Sequence, residues 1–456
     1  MNVEVTQRAE KSWERIFMAA LILGTGFRVM LYARTHWTLL DALMSFRYAE
    51  NFGAGRGLVY NAGEWVSGNT SVLYTFVLGI AAACKLDVAL FSRVLGTGAD
   101  LVTVFLLRRL VGGSGLRSPE FRHGLPAAIF LCPLCFPYAV SGMETSLYIC
   151  LVFWLLERTL HGRGWSYFLA ATLAMYCRPD SVLFVAASLL YLGWTTRRIP
   201  WRTGAVLFLI GVSYLGFNQL AYGSAIPNSV YAKTVTFNES FGYKFHYLAS
   251  RLVKFDALFA AWLCAVLGTL VWLRKNALAR LLGISTAFFV LFLCLTPSIR
   301  NYYIVPFVYL SLLILGLGAG RLVESRWASG SRLWSLVFAA AYLGACLVAL
   351  PSLFRKCRAV RQYEVDTRMA PGNWLRENTP PGARVFGPCD VGYYSKRYTI
   401  DYGGLVEPRV LKMIKQDGNR DYFKQAEALN VDYALLPVDP TSAPAQFQFL
   451  RLFAPT

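Results

Sequence analysis

The stretch IFMAALILGTGFRVMLYARTHWTLLDALMSFRYAEN, residues 16–51, joins a long apolar run to a polar segment that carries one aspartate, Asp41. The run at residues 16–33 approaches the about 20 residues that a helix needs to cross a bilayer. Basic residues precede it and no small-residue cleavage site follows, so we expect a retained span and not a signal peptide. An ionisable side chain this close to a bilayer is costly, and Asp41 is therefore a candidate functional residue.

The composition extends the membrane interpretation to most of the chain. Of 456 residues, 56% are hydrophobic and 16% are charged, against about 25% charged residues in soluble domains. Apolar runs of spanning length recur as far as about residue 350. The net charge of +19 does not indicate nucleic-acid binding, because the basic residues cluster in short loops, where the positive-inside rule explains them.

These basic clusters predict the topology. They fall at residues 108–122, 158–163, 197–202, 274–280 and 321–332, and with the N-terminus we place them in the cytoplasm. The apolar region 72–111 is broken at Lys85-Leu86-Asp87, and counting it as two spans would put every later cluster outside. We therefore predict at 72–84 a helix that lies in the outer interface or dips into the membrane, a second span at 88–110, roughly eleven spans in all, and an outer C-terminus.

The composition becomes polar after Pro351. We predict a transmembrane domain at residues 1–351, whose first outer loop is 35–71, and a small outer α/β domain at 352–456 with strands at 383–386 and 433–437 and a helix at 422–429. Cys357 and Cys389 lie in this second domain. If it is outside the cytosol they could form a disulfide, and the alternative is two free thiols.

The first outer loop carries the candidate acid. Asp41, Ser45 and Tyr48 are spaced i, i+4 and i+7 and would share one face of a short helix. A glycine-rich segment with Glu64 follows. The alternative is a solvated loop whose helix begins with an ordinary acidic residue that complements the helix dipole.

Four further polar segments are predicted to lie on the same side of the membrane. They are Ser141–Thr145 (SGMET), Arg178-Pro179-Asp180, residues 226–233 (IPNSVYAK) and residues 300–303 (RNYY). Polar residues are common at helix ends, and arginines there often extend to the interface. Five polar segments on one face nevertheless favour a site.

The order of LLDALMSFRYAENFGAGRGLVYNAGEWVSGNTSVLYT, SGMETSLY, CRPDSVLF, IPNSVYAK and DVGYYSKRYTIDYGGLVEP resembles the AftB-like terminal arabinofuranosyltransferases, a family of bacterial GT-C glycosyltransferases, over nearly the whole chain. The resemblance implies an all-α membrane GT-C fold, a polyprenyl-phosphate sugar as donor, and Asp41 as the catalytic carboxylate. Family members commonly carry two adjacent acids at this position, whereas this chain has Leu40-Asp41 and retains the second.

The resulting hypothesis is a single inverting displacement in which Asp41 acts as general base. Lys233, Arg300 and Arg178 are the candidate cations for the donor phosphate. The candidate sugar- or acceptor-binding residues are Ser45, Tyr48, Glu64, Glu144, Asp180, Asn228, Tyr231, Tyr302 and Tyr303. The C-terminal domain, with Asp390 in its best-matching segment, either helps to hold the acceptor or covers the cavity.

Several alternatives stay open at this point. No cofactor or metal site is assigned, although Asp41, Glu64 and Asp180 would suit a divalent cation if they came together. The rival functions are a transporter or flippase and a non-catalytic scaffold protein. The resemblance favours arabinofuranose, with a cell-envelope glycan, lipid-linked glycan or surface protein as acceptor, at the bacterial cytoplasmic (inner) membrane.

Overall fold

The computed structural model describes residues 3–162, 164–237, 239–253, 255–325, 331–417 and 421–437. The helices of the first half of the chain are α1 (Val3–Thr35), α2 (Leu40–Gly53), α3 (Val72–Ala83), α4 (Val88–Gly112), α5 (Pro119–Leu131), α6 (Thr145–His161), α7 (Trp165–Cys177), α8 (Val182–Thr196) and α9 (Trp201–Tyr222). They are followed by α10 (Asn228–Thr236), α11 (Phe241–Leu252), α12 (Asp256–Trp272), α13 (Ala277–Leu295), α14 (Asn301–Glu324) and α15 (Ser331–Glu364).

The described helices include five that are long and apolar enough to cross a membrane. They comprise residues 7–35 of α1 together with α4, α9, α13 and α14. A sixth span results if α11 and α12, which meet at a bend of 87°, are counted as one. The chain is a multi-pass membrane protein, as its composition predicts, whereas the number of roughly eleven spans stays a prediction.

The break at Lys85-Leu86-Asp87 has the predicted effect on the chain. An apolar helix of 12 residues, α3, ends just before it, and α4 begins just after it with the Asp87 side chain accepting a hydrogen bond from the Leu90 amide. Such a helix is about 18 Å long at 1.5 Å per residue, shorter than the about 30 Å of the hydrocarbon layer. The helix at 72–84 is confirmed, and its interfacial position stays a prediction.

The largest apolar cluster lies between the later helices. It includes Leu155 of α6, Phe184 of α8, Leu281 of α13 and Leu313 of α14, all fully or almost fully buried. Between α1 and α4 the structure instead buries an ion pair, with Arg28 Nη2 lying 2.7 Å from Asp100 Oδ2. A charge in a membrane interior needs such a partner.

Beyond α15 the chain forms a small α/β unit. A π-helical turn (Val365–Met369) leads into α16 (Ala370–Asn378). The remaining elements are β1 (Arg384–Gly387), α17 (Val391–Ser395), β2 (Tyr398–Asp401), α18 (Pro408–Asp417), α19 (Tyr422–Ala428) and β3 (Tyr433–Ala434). The strands are parallel in the order β2-β1-β3. The predicted strand at 383–386 and the helix at 422–429 are confirmed, whereas the strand predicted at 433–437 is limited to Tyr433–Ala434 and β2 has no counterpart in the prediction. Residues 438–456 lie outside the described part.

The predicted domain boundary falls within a continuous helix. Pro351 lies inside α15, which runs on to Glu364 before the π-helical turn. The two predicted domains are thus joined by a helix and not by a flexible linker. The division at residue 351 stays a prediction.

The alternative of a disulfide between Cys357 and Cys389 is wrong, because both thiols are free. All ten cysteines lie in the described part of the chain and are free. Cys357 packs with Leu31 and Trp37, whereas Cys389 packs beside Tyr60. The two thiols belong to different apolar clusters, which sequence separation could not show.

Candidate active site

Asp41 lies in the first turn of α2 with its side chain exposed. The predicted helix is confirmed, and its apolar face, with Ala42, Leu43 and Phe46, is buried. The Leu39 amide donates a hydrogen bond of 2.9 Å to the Ser141 carbonyl and so ties the start of α2 to the SGMET segment. A carboxylate in the first helical turn also interacts favourably with the helix dipole.

Two tyrosines link Asp41 to Lys233. The Tyr302 hydroxyl donates a hydrogen bond of 2.9 Å to Asp41 Oδ2, and its ring lies edge-on to that of Tyr303, with 4.8 Å between centroids. Lys233 Nζ of α10 donates a bond of 3.1 Å to the Tyr303 hydroxyl. The two residues at the start of α14 therefore bridge an acid and a cation from separate segments.

Lys233 keeps its charge in this setting. Burial alone would lower the pKa of its ammonium group, but Tyr303 and Asp41 act in the opposite direction and the pKa is raised. Within the described residues, no carboxylate lies within ion-pair distance of Lys233. Its positive charge is therefore available for an anionic ligand.

Arg178 lies behind the tyrosines and is already neutralised. Its Nε and Nη2 donate bonds of 3.0 Å to the two carboxylate oxygens of Asp180, and its Nη1 lies 3.4 Å from Glu144 Oε1. The guanidinium carbon is 5.1 Å from the ring centroid of Tyr303, a cation–π distance. Arg178 thus holds Glu144, Asp180 and the tyrosine pair in one buried cluster.

Arg300 is directed elsewhere. Its Nη1 lies 3.2 Å from Glu239 Oε1, and its guanidinium carbon lies 4.5 Å from the Phe237 ring centroid. Glu239 also accepts a bond of 2.7 Å from the Ile299 amide. Arg300 therefore holds the chain segment that precedes α14 in place. Its described contacts do not bring its side chain into the group formed by Asp41, the tyrosine pair and Lys233.

Ser45 and Tyr48 are buried within the first outer loop. Ser45 Oγ accepts a bond of 3.1 Å from Asn69. The Tyr48 hydroxyl donates a bond of 2.6 Å to the Val66 carbonyl and accepts one of 2.9 Å from the Gly68 amide. Both side chains hold the glycine-rich segment against α2, and neither shares the exposed position of Asp41.

Glu64, Asn228 and Tyr231 contact the C-terminal unit. Glu64 accepts a hydrogen bond from the Tyr398 hydroxyl. Asn228 donates bonds of 2.7 and 3.0 Å to the carbonyls of Gly404 and Leu405, and the Tyr231 hydroxyl lies 3.5 Å from Lys415 Nζ. These contacts attach the C-terminal unit to the first outer loop and to α10.

The C-terminal unit brings a second ion pair towards Asp41. Arg368 Nε lies 2.6 Å from Asp390 Oδ2. Burial raises the pKa of the Asp390 carboxyl against the opposing effect of Arg368, and the charge of Asp41 raises it further. Asp390 begins the segment DVGYYSKRYTIDYGGLVEP, which carries part of the family resemblance. No local sequence pattern indicates a role for Arg368. Arg368 lies in the π-helical turn, and such turns are frequent at functional sites.

The divalent-cation alternative finds no support in the geometry. Asp41 bonds with Tyr302, Glu64 with Tyr398 and Asp180 with Arg178. In the ranges that the structure describes, no three Asp, Glu, His or Cys side chains form a group that could hold a metal ion.

Comparison with solved structures defines the class of fold. The chain aligns over 88% of its length with 89% of ArnT from Cupriavidus metallidurans bound to undecaprenyl phosphate, at a TM-score of 0.56 and 13% identity. It aligns over 92% of its length with 69% of the oligosaccharyltransferase AglB from Archaeoglobus fulgidus, in complex with an inhibitory peptide and a dolichol-phosphate, at 0.56 and 13%. The chain therefore shares the fold of these two proteins, the GT-C fold that the sequence resemblance implies.

Sequence relatives then specify the resemblance. The chain is 25% identical over 278 residues to a terminal β-(1→2)-arabinofuranosyltransferase of Mycobacterium tuberculosis, covering 56% of this chain and 42% of that protein. The Corynebacterium glutamicum protein of the same name is 26% identical over 256 residues, covering 48% and 36%. The chain thus spans less than half of these relatives. The predicted resemblance to the terminal arabinofuranosyltransferases is confirmed.

One family model also matches the C-terminal part. It is described as a domain of unknown function, DUF8728, and it covers residues 356–454. The match contains the Arg368–Asp390 pair and the described strands. The description of this family names no activity, so the match does not indicate a function for this part of the chain.

Proposed function

We propose that this protein is an integral-membrane glycosyltransferase that moves a sugar, with arabinofuranose as the first candidate, from a polyprenyl-phosphate donor to an acceptor hydroxyl. The proposal rests on the contacts that lead from the exposed Asp41 through Tyr302 and Tyr303 to Lys233. Among the described residues, no carboxylate pairs with the charge of Lys233. An acid and a free cation at one site suit a proton acceptor and a phosphate ligand.

The proposed step is one displacement. Asp41 takes the proton from the acceptor hydroxyl, whose oxygen forms a bond to the anomeric carbon as the bond from that carbon to the phosphate oxygen breaks. The electron pair leaves with polyprenyl phosphate, and Lys233 stabilises the developing negative charge. One exposed carboxylate as base predicts inversion at the anomeric carbon. A β-linked product would then require an α-linked donor.

The three predicted cations receive different roles. Lys233 is proposed as the phosphate ligand, because Arg178 and Arg300 are held by carboxylates. Freeing Arg178 would leave the largely buried carboxylates of Glu144 and Asp180 unpaired, which costs several kcal/mol. Arg178 is instead proposed to fix the tyrosine pair, together with Glu144 and Asp180.

The helices also support a finer topology. Eleven crossings result if α1, α4–α9 and α12–α15 each pass once. This proposal puts the N-terminus in the bacterial cytoplasm and Asp41, α10, α11 and the C-terminal unit on the outer face. The donor would be lipid-borne, in keeping with the undecaprenyl phosphate and dolichol-phosphate bound by the two structural neighbours. A cell-envelope glycan, lipid-linked glycan or surface protein is the proposed acceptor.

The test is turnover by the purified protein in detergent, without a membrane gradient. A panel of synthetic α- and β-linked polyprenyl-phosphate sugars is supplied with acceptor glycans, and mass spectrometry follows release of polyprenyl phosphate. We expect release from one donor and a product of inverted configuration. A product that retains the donor configuration contradicts the single displacement. A second assay uses the protein in lipid vesicles. Movement of the donor across the vesicle membrane without cleavage of its sugar–phosphate bond would support the transporter alternative.

A further inference from the structure

A cleft of about 760 Å³ lies at the opposite end of α14 from Asp41. Tyr302 begins α14 beside Asp41, whereas Arg321, in the last turn of the same helix, lines the cleft. At 1.5 Å per residue the two positions are about 28 Å apart along the helix axis. This separation is close to the about 30 Å thickness of a bilayer's hydrocarbon core, so the cleft lies at the level of the other membrane surface.

The lining of the cleft is cationic. Arg274, Lys275 and Arg321 contribute three positive charges, and no acidic side chain is among the described residues that line the cleft. In the described chain, Arg274 and Lys275 form no ion pair. Glu324 stands nearby, but one of its oxygens accepts bonds of 2.6 and 2.8 Å from the amides of Arg117 and Ser118. Its other oxygen lies 3.7 Å from Arg321.

Helix dipoles do not cancel these charges. The C-terminal ends of α4, α12 and α14 and the N-terminus of α13 meet around the cleft. With about half a charge at each helix end, they sum to about one negative charge. Glu324, beside Arg321, adds one further negative charge. The three side-chain cations still exceed these two negative charges by about one, so the cleft attracts anions.

The floor of the cleft is held in place by hydrogen bonds. The Ser114 carbonyl accepts a bond of 2.7 Å from Asn276 Nδ2 and one of 3.1 Å from Arg321 Nη2. Gly115 has φ +79°, and a Cβ there would lie 3.0 Å from Arg321 Nη2. Three chain segments are thus joined around the cations before any ligand binds, which lowers the entropic cost of binding.

An apolar surface adjoins the cations. Val271 and Trp272, at the end of α12, line the cleft with 65% and 54% of their surface exposed. Leu267, one turn earlier, is 62% exposed. A tryptophan beside basic residues at a helix end is typical of the membrane interface. A ligand with an anionic head and an apolar chain would contact both surfaces.

We propose that this cleft binds the phosphate headgroup of an anionic phospholipid, with the acyl chains along the exposed face of α12. Basic pockets between helices on the cytoplasmic side of membrane proteins bind such headgroups. The proposal needs only the multi-pass membrane fold and is independent of the proposed glycosyl transfer. A soluble phosphate would use the same cations but would leave the apolar surface unused.

The test is native mass spectrometry of the full chain in detergent, titrated with phosphatidylglycerol or with phosphatidylcholine. The variant Arg274→Gln/Lys275→Gln removes two exposed charges from the cleft. The control Lys11→Gln/Arg15→Gln removes two exposed charges from α1, on the same predicted side. We expect preferential retention of phosphatidylglycerol, roughly 5- to 30-fold weaker in the first variant and unchanged in the control, since each basic residue near a surface adds about 1 kcal/mol.

Two results would overturn the proposal: equal retention of both lipids, or equal loss in the two variants, which would indicate general attraction to a basic surface. Inorganic phosphate then distinguishes the sources of the anion. Failure of millimolar phosphate to displace phosphatidylglycerol supports a lipid site. Displacement contradicts the lipid assignment and leaves a site for soluble phosphate.

Discussion

At the scale of single residues, charge pairing separates cations that the sequence treats alike. Lys233, Arg178 and Arg300 all lie in polar segments predicted to face outward. Arg178 is held by Asp180 and Glu144, and Arg300 by Glu239. Lys233 contacts only a tyrosine hydroxyl through its ammonium group, as far as the described residues show. These pairings depend on contacts between distant segments, which no local pattern predicts.

This difference predicts separate effects of two matched substitutions. Lys233→Gln should lower kcat/KM for the donor roughly 10- to 100-fold, as expected for loss of a hydrogen bond to a charged group. Arg300→Gln should leave donor KM within about twofold and lower the free energy of unfolding by no more than about 1 kcal/mol, since its pair is partly exposed. Initial rates against donor concentration, with thermal unfolding, measure both. An equal rise in donor KM in the two variants would contradict the assignment.

At the scale of single elements, the sequence predicts the helices around the site well. The spacing of Asp41, Ser45 and Tyr48 predicts α2, and the break at Lys85-Leu86-Asp87 separates α3 from α4. It does not predict how closely elements pack. Gly96 of α4 lies against the 3₁₀ turn Phe136–Val140, where a Cβ would lie 2.2 Å from the Ala139 carbonyl oxygen.

Two glycines of α4 provide a matched test of this packing. Gly96→Ala should destabilise the fold by roughly 1–3 kcal/mol, because a backbone atom blocks the added methyl group. Gly98→Ala, whose Cβ would meet nothing within 4 Å, should be neutral or stabilising by up to about 1 kcal/mol. Thermal unfolding in detergent measures both, and equal stability of the two variants would disprove the close contact.

Asp401, at the end of β2, should make stability depend on pH. Burial raises the pKa of its carboxyl to about 6, despite hydrogen bonds from the amides of Gly403 and Leu405. Because the folded-state pKa lies above the unfolded one, this contribution is fully present below about pH 4 and is lost as the pH rises through about 6. Between these limits, wild type should lose about 3 kcal/mol relative to Asp401→Asn.

Unfolding temperatures of wild type and Asp401→Asn, taken from pH 4 to pH 7, measure this difference. Carboxyl groups that do not interact with Asp401 titrate in both proteins, so their effects cancel in the comparison. A stability difference that does not change with pH would show that Asp401 titrates normally.

At the scale of the whole molecule, the C-terminal unit is attached to the first outer loop. Asn61 donates a bond of 3.0 Å to the Thr399 carbonyl and accepts one of 3.1 Å from its amide, across 338 positions of sequence. The Tyr60 hydroxyl also donates to the Cys389 carbonyl. The sequence predicts an α/β unit but not this attachment, which brings Asp390 and Arg368 towards Asp41. Neither the composition nor the periodicity of the sequence predicts hydrogen bonds between segments this far apart in the chain.

Breaking this attachment should loosen the C-terminal unit and leave the spans intact. The double variant Asn61→Ala/Asn228→Ala removes hydrogen bonds to Thr399, Gly404 and Leu405. We expect faster hydrogen exchange in β1 and β2, with exchange in α4 and α14 unchanged. Asn378→Ala is the control, since within the described chain that side chain donates its hydrogen bond to the Trp374 carbonyl of its own helix. Unchanged exchange in the strands would contradict the attachment.

The most direct test of the whole account is polyprenyl phosphate release by Asp41→Asn. Its control is Asp87→Asn, which also replaces an exposed aspartate at a helix start and keeps a good helix cap. With a donor that wild type consumes, we predict that Asp41→Asn is slower by roughly 10²- to 10⁴-fold, the usual contribution of a general base. Its unfolding temperature and the activity of Asp87→Asn should match wild type. Near-normal release by folded Asp41→Asn would contradict the central claim that Asp41 is the base.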